Sequence, residues 1–408
     1  MELLNKVIAR ITPKDASIKK EIDEIVSIIN KELKKNKIKA TAVVGGSFAK
    51  DTHLVDDHDC DIFVKFDYKY KDKHISDLLH KSLKKFKPNR LHGSRDYFQF
   101  SKTLNYEIVP VIEIKNPDQA LNVTDVSPLH VNWTKKHKKS SEIRLVKAFC
   151  KSAGIYGAES YIKGFSGHVL DILTIYYGSF MNLLKQSQKW KEGTVIDVEK
   201  HYKSQDVFKI MNSSKLESPM IAVDPVQKER NAAAALSFEN FCIFRSAAKS
   251  FVSSPSGKFF EITDLEDSIK KKFASGKIIK IEIAPLKGKA DVAGSKIQKI
   301  SEFFSASLVK SGFKIRHFAW NFENKAAEMY FVFDKKPIGK EMAVEGPPLS
   351  MELHVLNFRK THKKTFKKRG KIFALEKRKF MLPEKLLQEL SKNSYVGERC
   401  KEIKIKAM

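Results

Sequence analysis

The chain has 408 residues, enough for two to four domains rather than one core. Lys and Arg number 76 against 48 Asp and Glu, a formal charge of +28, and 42% of the residues are hydrophobic. That balance excludes global disorder, and no apolar run approaches the ~18 residues that a membrane helix needs. The opening MELLNKVIARITPKD lacks the apolar stretch and cleavage site of a secretory leader. Cys60, Cys150, Cys242 and Cys400 show no CxxC spacing, which argues against a disulfide framework or a zinc knuckle. The expectation is a soluble, cytoplasmic protein with no membrane partner. Its cationic surface suits a polyanion, nucleic acid first. A lysine-rich proteome would raise the charge as well, so the decision falls to motifs.

In chain order, Thr12-Pro13-Lys14-Asp15 offers a capping residue, a proline at the first helical position and an acid in the first turn. Ile18, Ile22, Ile25, Ile29 and Leu33 then recur at helical spacing. Ala40 to Val44 reads as a short buried strand running into Gly45-Gly46-Ser47. Cys60 to Phe66 is a second strand, and Ile75, Leu78, Leu79, Leu83 and Phe86 mark another helix. Leu104 to Ile114 is a further strand, so residues 1–140 form a mixed α/β domain. Helical patterns at Ile143–Ala153, Val169–Leu184 and Arg230 to about Val252 make 141–255 a helical domain, with Ser253–Gly257 (SSPSG) as linker. Beyond it, a strand at Ile278–Ile283, a helix at Ile297–Leu308 and strands at Ile315–Phe322 and Met329–Phe333 give the β-α-β-β order of a ferredoxin-like half-sheet over 256–345. Residues 346–408 form a basic tail.

One constellation carries chemistry. Gly46-Ser47 follows a strand, and twelve residues later Asp59-Cys60-Asp61 opens the next. Residues two apart on a strand share a face, so both carboxylates project together, an arrangement that is costly unless a cation sits between them. Magnesium takes carboxylate oxygens and keeps substrate phosphates among its other ligands. The Gly-Gly-Ser turn lets a backbone amide and a hydroxyl approach a phosphate. Glu107, one acid in the apolar YEIVP strand, is placed to join Asp61 as a third ligand; its bland alternative is a surface acid on a sheet edge. Asp56 and Asp57 read as solvated loop acids.

GGSFAKDTHLVDDHDCDIF resembles the GS–DxD signature of the nucleotidyltransferases that include DNA polymerase β and poly(A) polymerases. SPLHVNW, EIRLVKAFCKSAGIYGAES, IKGFSGHVLDILTIYYGSF, VIDV, VDPVQKERNAAAALS and GPPL are similar, in order, to segments of archaeal-type (class I) CCA-adding enzymes. The resemblance implies an α+β multidomain chain: a polymerase-β-like catalytic head, a helical neck, a ferredoxin-like body and a basic tail. It implies template-independent addition of C, C and A to tRNA from CTP and ATP, with two Mg²⁺ ions on Asp59, Asp61 and Glu107. Ser47 and Lys50 fall on triphosphate contacts, His130, Lys147 and Tyr156 on further nucleotide contacts, and Arg230 on the arginine that chooses the base. Two departures stand out: Glu107 replaces the usual Asp and Lys50 the usual Arg, which keeps the charge and loses a bidentate fork. On the residues alone, His130 also reads as a structural histidine, Tyr156 as packing and Lys147 as a solvated lysine. A poly(A) polymerase-like enzyme and a non-catalytic RNA-binding protein with a transferase-like head are the alternatives, and a homodimer stays open.

The last stretch owes least to resemblance. Residues 351–408 hold 17 Lys and Arg against 6 Asp and Glu, a net +11. Arg359, Lys363 and Lys367, and beside them Lys360, Lys364 and Lys368, recur every four residues, and on one helix they would make a broad cationic face for tRNA. The alternative is a solvated lysine-rich face.

Overall fold

The computed structural model describes residues 2–203, 205–323, 326–336 and 338–408, divided into two units, Met1–Ile262 and Thr263–Met408. No helix among the described residues is long and apolar enough to cross a membrane. The first unit opens with α1 (Glu2–Ile11), which the sequence reading left out, and α2 (Ala16–Lys35). Asp15, not Thr12, caps α2 by accepting the Ser17 N–H, and Ile22, Ile25, Ile29 and Leu33 are buried as the spacing requires. A five-stranded sheet follows. Its strands are β1 (Ala40–Val44), β2 (Asp59–Phe66), β3 (Asn89–Leu91), β4 (Tyr97–Ser101) and β5 (Asn105–Ile112), in the order β1-β2-β5-β4-β3. The four-residue α3 (Gly46–Ala49) turns the chain between β1 and β2, and α4 (Ile75–Ser82) follows β2. The core under this sheet joins α2 and α4 to Ile62, Val64, Phe66, Phe98, Tyr106 and Ile108.

Next come α5 (Ser127–Lys136), α6 (Ser140–Ser152), α7 (Gly167–Tyr177) and α8 (Phe180–Ser187), then the strand pair β6 (Thr194–Ile196) and β7 (Met220–Ala222), with the short α9 (Val207–Ile210) between them, and α10 (Phe238–Ser253). The expected Val169–Leu184 helix is in fact two. Gly178 adopts a left-handed φ of +80° that ends α7, and Ser179 caps α8, so the IYYGSF run crosses a corner between two helices while Ile175, Tyr177 and Phe180 still pack into the core. The expected start of α10 at Arg230 moves to Ser237. The Asn231 side chain accepts the N–H groups of Ala222 and Ala233, drawing that backbone away from helical bonding. Nor is Ser253–Gly257 the division between units. Phe259 and Phe260 just beyond it pack on Phe149, in a core that also takes Val7 and Ile11 of α1. The N-terminal helix thus belongs with the helical layer, not with the sheet.

The second unit holds α11 (Leu265–Lys272), β8 (Lys277–Pro285), α12 (Ala290–Lys310), β9 (Ile315–Glu323) and β10 (Ala326–Phe333). After them come β11 (Glu341–Pro348), α13 (Glu352–Thr361), β12 (Thr365–Lys368), β13 (Lys371–Lys377), α14 (Pro383–Leu390), α15 (Ser394–Gly397) and β14 (Cys400–Ala407). The antiparallel order β14-β8-β10-β9 completes a ferredoxin-like sheet, with α12 and α14 packed on one face and α11 on the other. The end of the chain is therefore an edge strand of the body, not a tail. Nor do the six basic residues share a helix. Arg359 and Lys360 end α13, the backbone turns extended at His362, and Lys367 and Lys368 fall on successive, oppositely facing positions of β12. Arg369-Gly370, both at positive φ, is the two-residue turn that folds β12 onto β13.

Among the described residues, seven of the eight non-glycine positions at positive φ are Lys or Arg. Lys37 (φ 54°) closes a Schellman turn after α2, with Lys37 N–H to Lys34 O and Ile38 N–H to Leu33 O, each 3.0 Å. Glycine has no Cβ penalty there. Lys37→Gly is expected to stabilise the protein by about 0.5–1 kcal/mol. An upward shift of the urea midpoint at constant slope checks this; a midpoint at or below wild type contradicts it.

Candidate active site

Asp59 and Asp61 open β2 on one of its faces, with Cys60 fully buried on the other. Because β2 and β5 run parallel, their register sets Asp61 directly beside Glu107, and Asp59 beside Asn105. Asn105 donates to Asp59 at 3.2 Å, and Gln99 of β4 donates to Glu107. Burial, reinforced by the charges of Glu107 and Asp59, pushes the Asp61 carboxyl up to about 7, against the pull of Lys50 and Lys147. A carboxylate in this position gains most from a cation, and carboxylate oxygens are the ligands that magnesium prefers. Neighbouring carboxylates of this kind offer the oxygen donors that a divalent cation takes.

The Gly-Gly-Ser turn is packed onto this group. Gly45 N–H donates to Asp61 O at 2.8 Å. Gly46 sits at φ +51°, and a Cβ there would stand 1.8 Å from Asp61 Oδ2, so only glycine allows the carboxylate its place. Ser47 follows in α3, partly exposed.

Two of the basic residues, Lys50 and Arg230, are held by acids that the sequence reading did not single out. Lys50 Nζ lies 2.7 Å from Asp171 Oδ2, the side chains only 11% and 1% exposed. The Thr134 hydroxyl reaches the same oxygen at 3.5 Å, while Asp171 Oδ1 is buried with no hydrogen bond among the described residues. Lys147 is buried, not solvated; its ammonium donates to the Thr52 carbonyl (3.0 Å) and hydroxyl (3.1 Å), and burial pulls it below the ordinary lysine range. At the start of α7, a Cβ on Gly167 would lie 3.1 Å from the Tyr156 hydroxyl and 3.8 Å from Lys147 Nζ, so both groups face that turn. Burial pushes the Tyr156 hydroxyl well above the phenol range. Asp57, expected to be solvated, accepts the Leu54 N–H and pairs with Lys151 at 2.6 Å, because the loop folds back under α6; Asp56 stands farther off, 3.6 Å from the same lysine.

His130 Nε2 lies 2.9 Å from Asp224 Oδ1; the carboxylate can only accept, so the imidazole donates. Arg230 Nη1 reaches Asp224 Oδ2 at 2.7 Å while its side chain stays 48% exposed. The His168 ring lies against His130, tilted by 40° with centroids 4.1 Å apart, and burial lowers it to about 4. Ligand atoms of His130, His168 and Asp224 lie within 4.8 Å of one another, the spacing of a metal site. The carboxylate already accepts from Arg230, His130 and the Val226 and Gln227 N–H groups, and so reads as a saturated hydrogen-bond centre.

The structure thus gathers Asp59, Asp61 and Glu107 into one group, pairs Lys50 with Asp171, sets Lys147 and Tyr156 at the start of α7, and joins His130 to Arg230 through Asp224. Arg359, Lys360, Lys363, Lys364, Lys367 and Lys368 belong to the second unit. Asp171 and Asp224 each carried a signal: a lone acid in the apolar run VLDILT and at the end of the apolar strand MIAV. Gly46→Ala is expected to lower the thermal midpoint, because it puts a Cβ at positive φ and against Asp61, and to cost the enzyme that still folds at least ~100-fold in turnover through displacement of the carboxylate. Activity near wild type would show that the carboxylate position is not critical.

The family described as "Nucleotidyltransferase domain" matches residues 26–144, "tRNA nucleotidyltransferase, second domain" 141–261, and "CCA-adding enzyme, C-terminal domain" 288–406. A CCA-adding enzyme of Nanoarchaeum equitans is 35% identical over 369 residues, 89% of each chain. Another, from Methanocaldococcus jannaschii, is 30% identical over 400 residues, 93% of this chain and 88% of that one. A solved cytoplasmic RNA terminal U-transferase superposes with a TM-score of 0.51 over 65% of this chain and 98% of its own, at 14% identity, a likeness of fold.

Proposed function

The chain belongs to the CCA-adding enzymes, whose activity is template-independent addition of C, C and A to tRNA, and from that premise we propose how its residues divide the work. The nucleotidyltransferases generally use divalent metal ions. In this reading Asp59, Asp61 and Glu107 hold two Mg²⁺ ions, supported by the register that pairs Asp61 with Glu107. Bound there, the metals supply Lewis acidity toward the α-phosphate of CTP or ATP and the primer 3′ hydroxyl.

The remaining steps belong to side chains. Ser47 and Lys50 orient the triphosphate; Lys50 spends one of its three donors on Asp171 and keeps two for phosphate oxygens. Lys147 and Tyr156 add a buried cation and a hydroxyl near the start of α7, where helix N–H groups favour an anion. His130 and Arg230 form the base end of the pocket, with Arg230 the group that tells C and A from U and G. The cytoplasmic tRNA is gripped by Arg359, Lys360, Lys363, Lys364, Lys367 and Lys368, all six exposed.

The reading is tested with tRNA ending before the first C, after C and after CC, each given one triphosphate. C, C and A should enter in that order, whereas a poly(A) polymerase-like enzyme would extend from ATP alone and a binding protein would release no pyrophosphate. Asp59→Ala or Asp61→Ala should lower turnover by several orders of magnitude in folded protein, and Glu107→Asp should retain more activity than Glu107→Ala. Equal activity of wild type and Glu107→Ala removes Glu107 from the site. Reversing Lys363, Lys364, Lys367 and Lys368 to Glu should weaken tRNA binding at least ~10-fold, and neutralising them should shallow its salt dependence. Wild-type affinity and slope would leave that region without a role.

A further inference from the structure

Asp224 is a wholly buried carboxylate. Its Oδ1 accepts from His130 Nε2 (2.9 Å) and from the N–H groups of Val226 (2.9 Å) and Gln227 (3.1 Å). Its Oδ2 accepts from Arg230 Nη1 at 2.7 Å, with His168 Nε2 at 3.4 Å. The Asp224 N–H donates to the Arg230 carbonyl at 3.0 Å, so side chain and backbone of the arginine are both tied to this one residue. Burial alone would raise the acid, but the hydrogen bond from His130, with the His168 ring close by, holds it far below the carboxylate range. One end of the guanidinium is therefore fixed, while nearly half of the side chain remains exposed.

We propose that Asp224 is the positioning residue that sets nucleotide specificity, by holding the Arg230 guanidinium in one orientation toward the incoming base. The proposal rests on the reading of Arg230 as the base-choosing group. A guanidinium carries donors and no acceptor. Cytosine offers O2 and N3 as neighbouring acceptors and adenine offers N1. Uracil presents N3–H, and guanine N1–H, at the matching places. A donor facing a donor leaves both unsatisfied in a water-poor pocket, and it is this rejection that yields large discrimination. An untethered arginine would rotate until it met O2 or O4 of uracil or O6 of guanine, and the rejection would vanish. Specificity in this arrangement is a property of the tether as much as of the arginine. His130, bonded to the other carboxylate oxygen, keeps Asp224 from following Arg230 when it moves.

The experiment compares wild-type enzyme with Asp224→Asn and Arg230→Ala, full chains, on tRNA ending before the first C, by kcat/KM for CTP and for UTP. Asp224→Asn should reduce the CTP-over-UTP ratio roughly tenfold or more, chiefly through a raised kcat/KM for UTP as its rejection is lost, with a smaller loss for CTP. A role confined to stability would lower the fraction of active enzyme and leave that ratio at the wild-type value, which overturns the proposal. Should Asp224→Asn fail to fold, Asp224→Glu decides in the same way. It keeps the charge and moves the guanidinium by one methylene, so a lowered ratio supports the tether and an unchanged ratio refutes it. Arg230→Ala separates the two layers. A wild-type ratio in that variant defeats the reading of Arg230 itself, whereas a lowered ratio there, beside an unchanged one in the Asp224 variant, defeats only the tether.

Discussion

The parallel pairing of β2 with β5 is the constraint from which the rest of this enzyme follows. It aligns Asp61 with Glu107, two residues along the face from Asp59, and so concentrates negative charge at one corner of a sheet in a chain of net charge +28. Like charges side by side on a sheet are destabilising. The surroundings make the cost explicit: Asp61 retains a proton to about pH 7 when no cation relieves it. The apolar follow-on of both strands, Ile62 to Val64 and Ile108 to Val111, is largely buried and anchors the strands that carry the acids, so the fold sustains a local conflict at this corner.

Around that corner, the cations are arranged by buried acids. Lys50 is placed by Asp171, and Arg230 by Asp224. In a chain with so many lysines, a cation near a polyanionic substrate is easily found; one in a fixed position is not. A buried carboxylate supplies that fixity because it must be paired and can only accept. Removing it would leave a free side chain with the same charge and less geometry. Lys147 shows a second solution. Among the described residues no carboxylate lies within bonding distance of it, and the Thr52 carbonyl and hydroxyl hold it instead, in a site buried enough to lower its proton affinity.

Much of this was legible in the sequence, for physical reasons that particular residues make clear. The acid trio could be read because strand geometry has a period of two, and because an acid inside an apolar strand has few places to go; the register then placed Glu107 beside Asp61. The ferredoxin-like sheet could be read as far as its third strand. Its fourth, Cys400–Ala407, escaped because alternation in KEIKIKA looks like surface lysine. The basic stripes misled for a related reason: spacing by four says helix only while the helix continues, and α13 ends at His362, between Lys360 and Lys363, with a strand beyond it. Asp171 and Asp224 were missed because each works through a partner more than a hundred residues, or one tight turn, away. The turn around Asn231 was missed because side-chain bonding to backbone leaves no periodic trace.

Lys50 gives the last step. Asp171 offers two oxygens, and an ammonium takes only one, which leaves Oδ1 buried without a hydrogen bond. An unsatisfied buried acceptor costs about 1–3 kcal/mol, a strain that a two-pronged guanidinium at position 50 would remove. A lysine in that place is held less firmly, and it keeps its charge as a compact point on a flexible stem. Such a group suits an acceptor whose oxygens shift as a bond to phosphorus is made and broken, where a rigid fork suits one fixed geometry. The same trade appears at Glu107, whose carboxylate stands one methylene farther from its strand than an aspartate would and is steadied by Gln99 from the neighbouring strand. At both positions the side chain is a flexible one, and a neighbouring side chain, not the backbone, sets where it points.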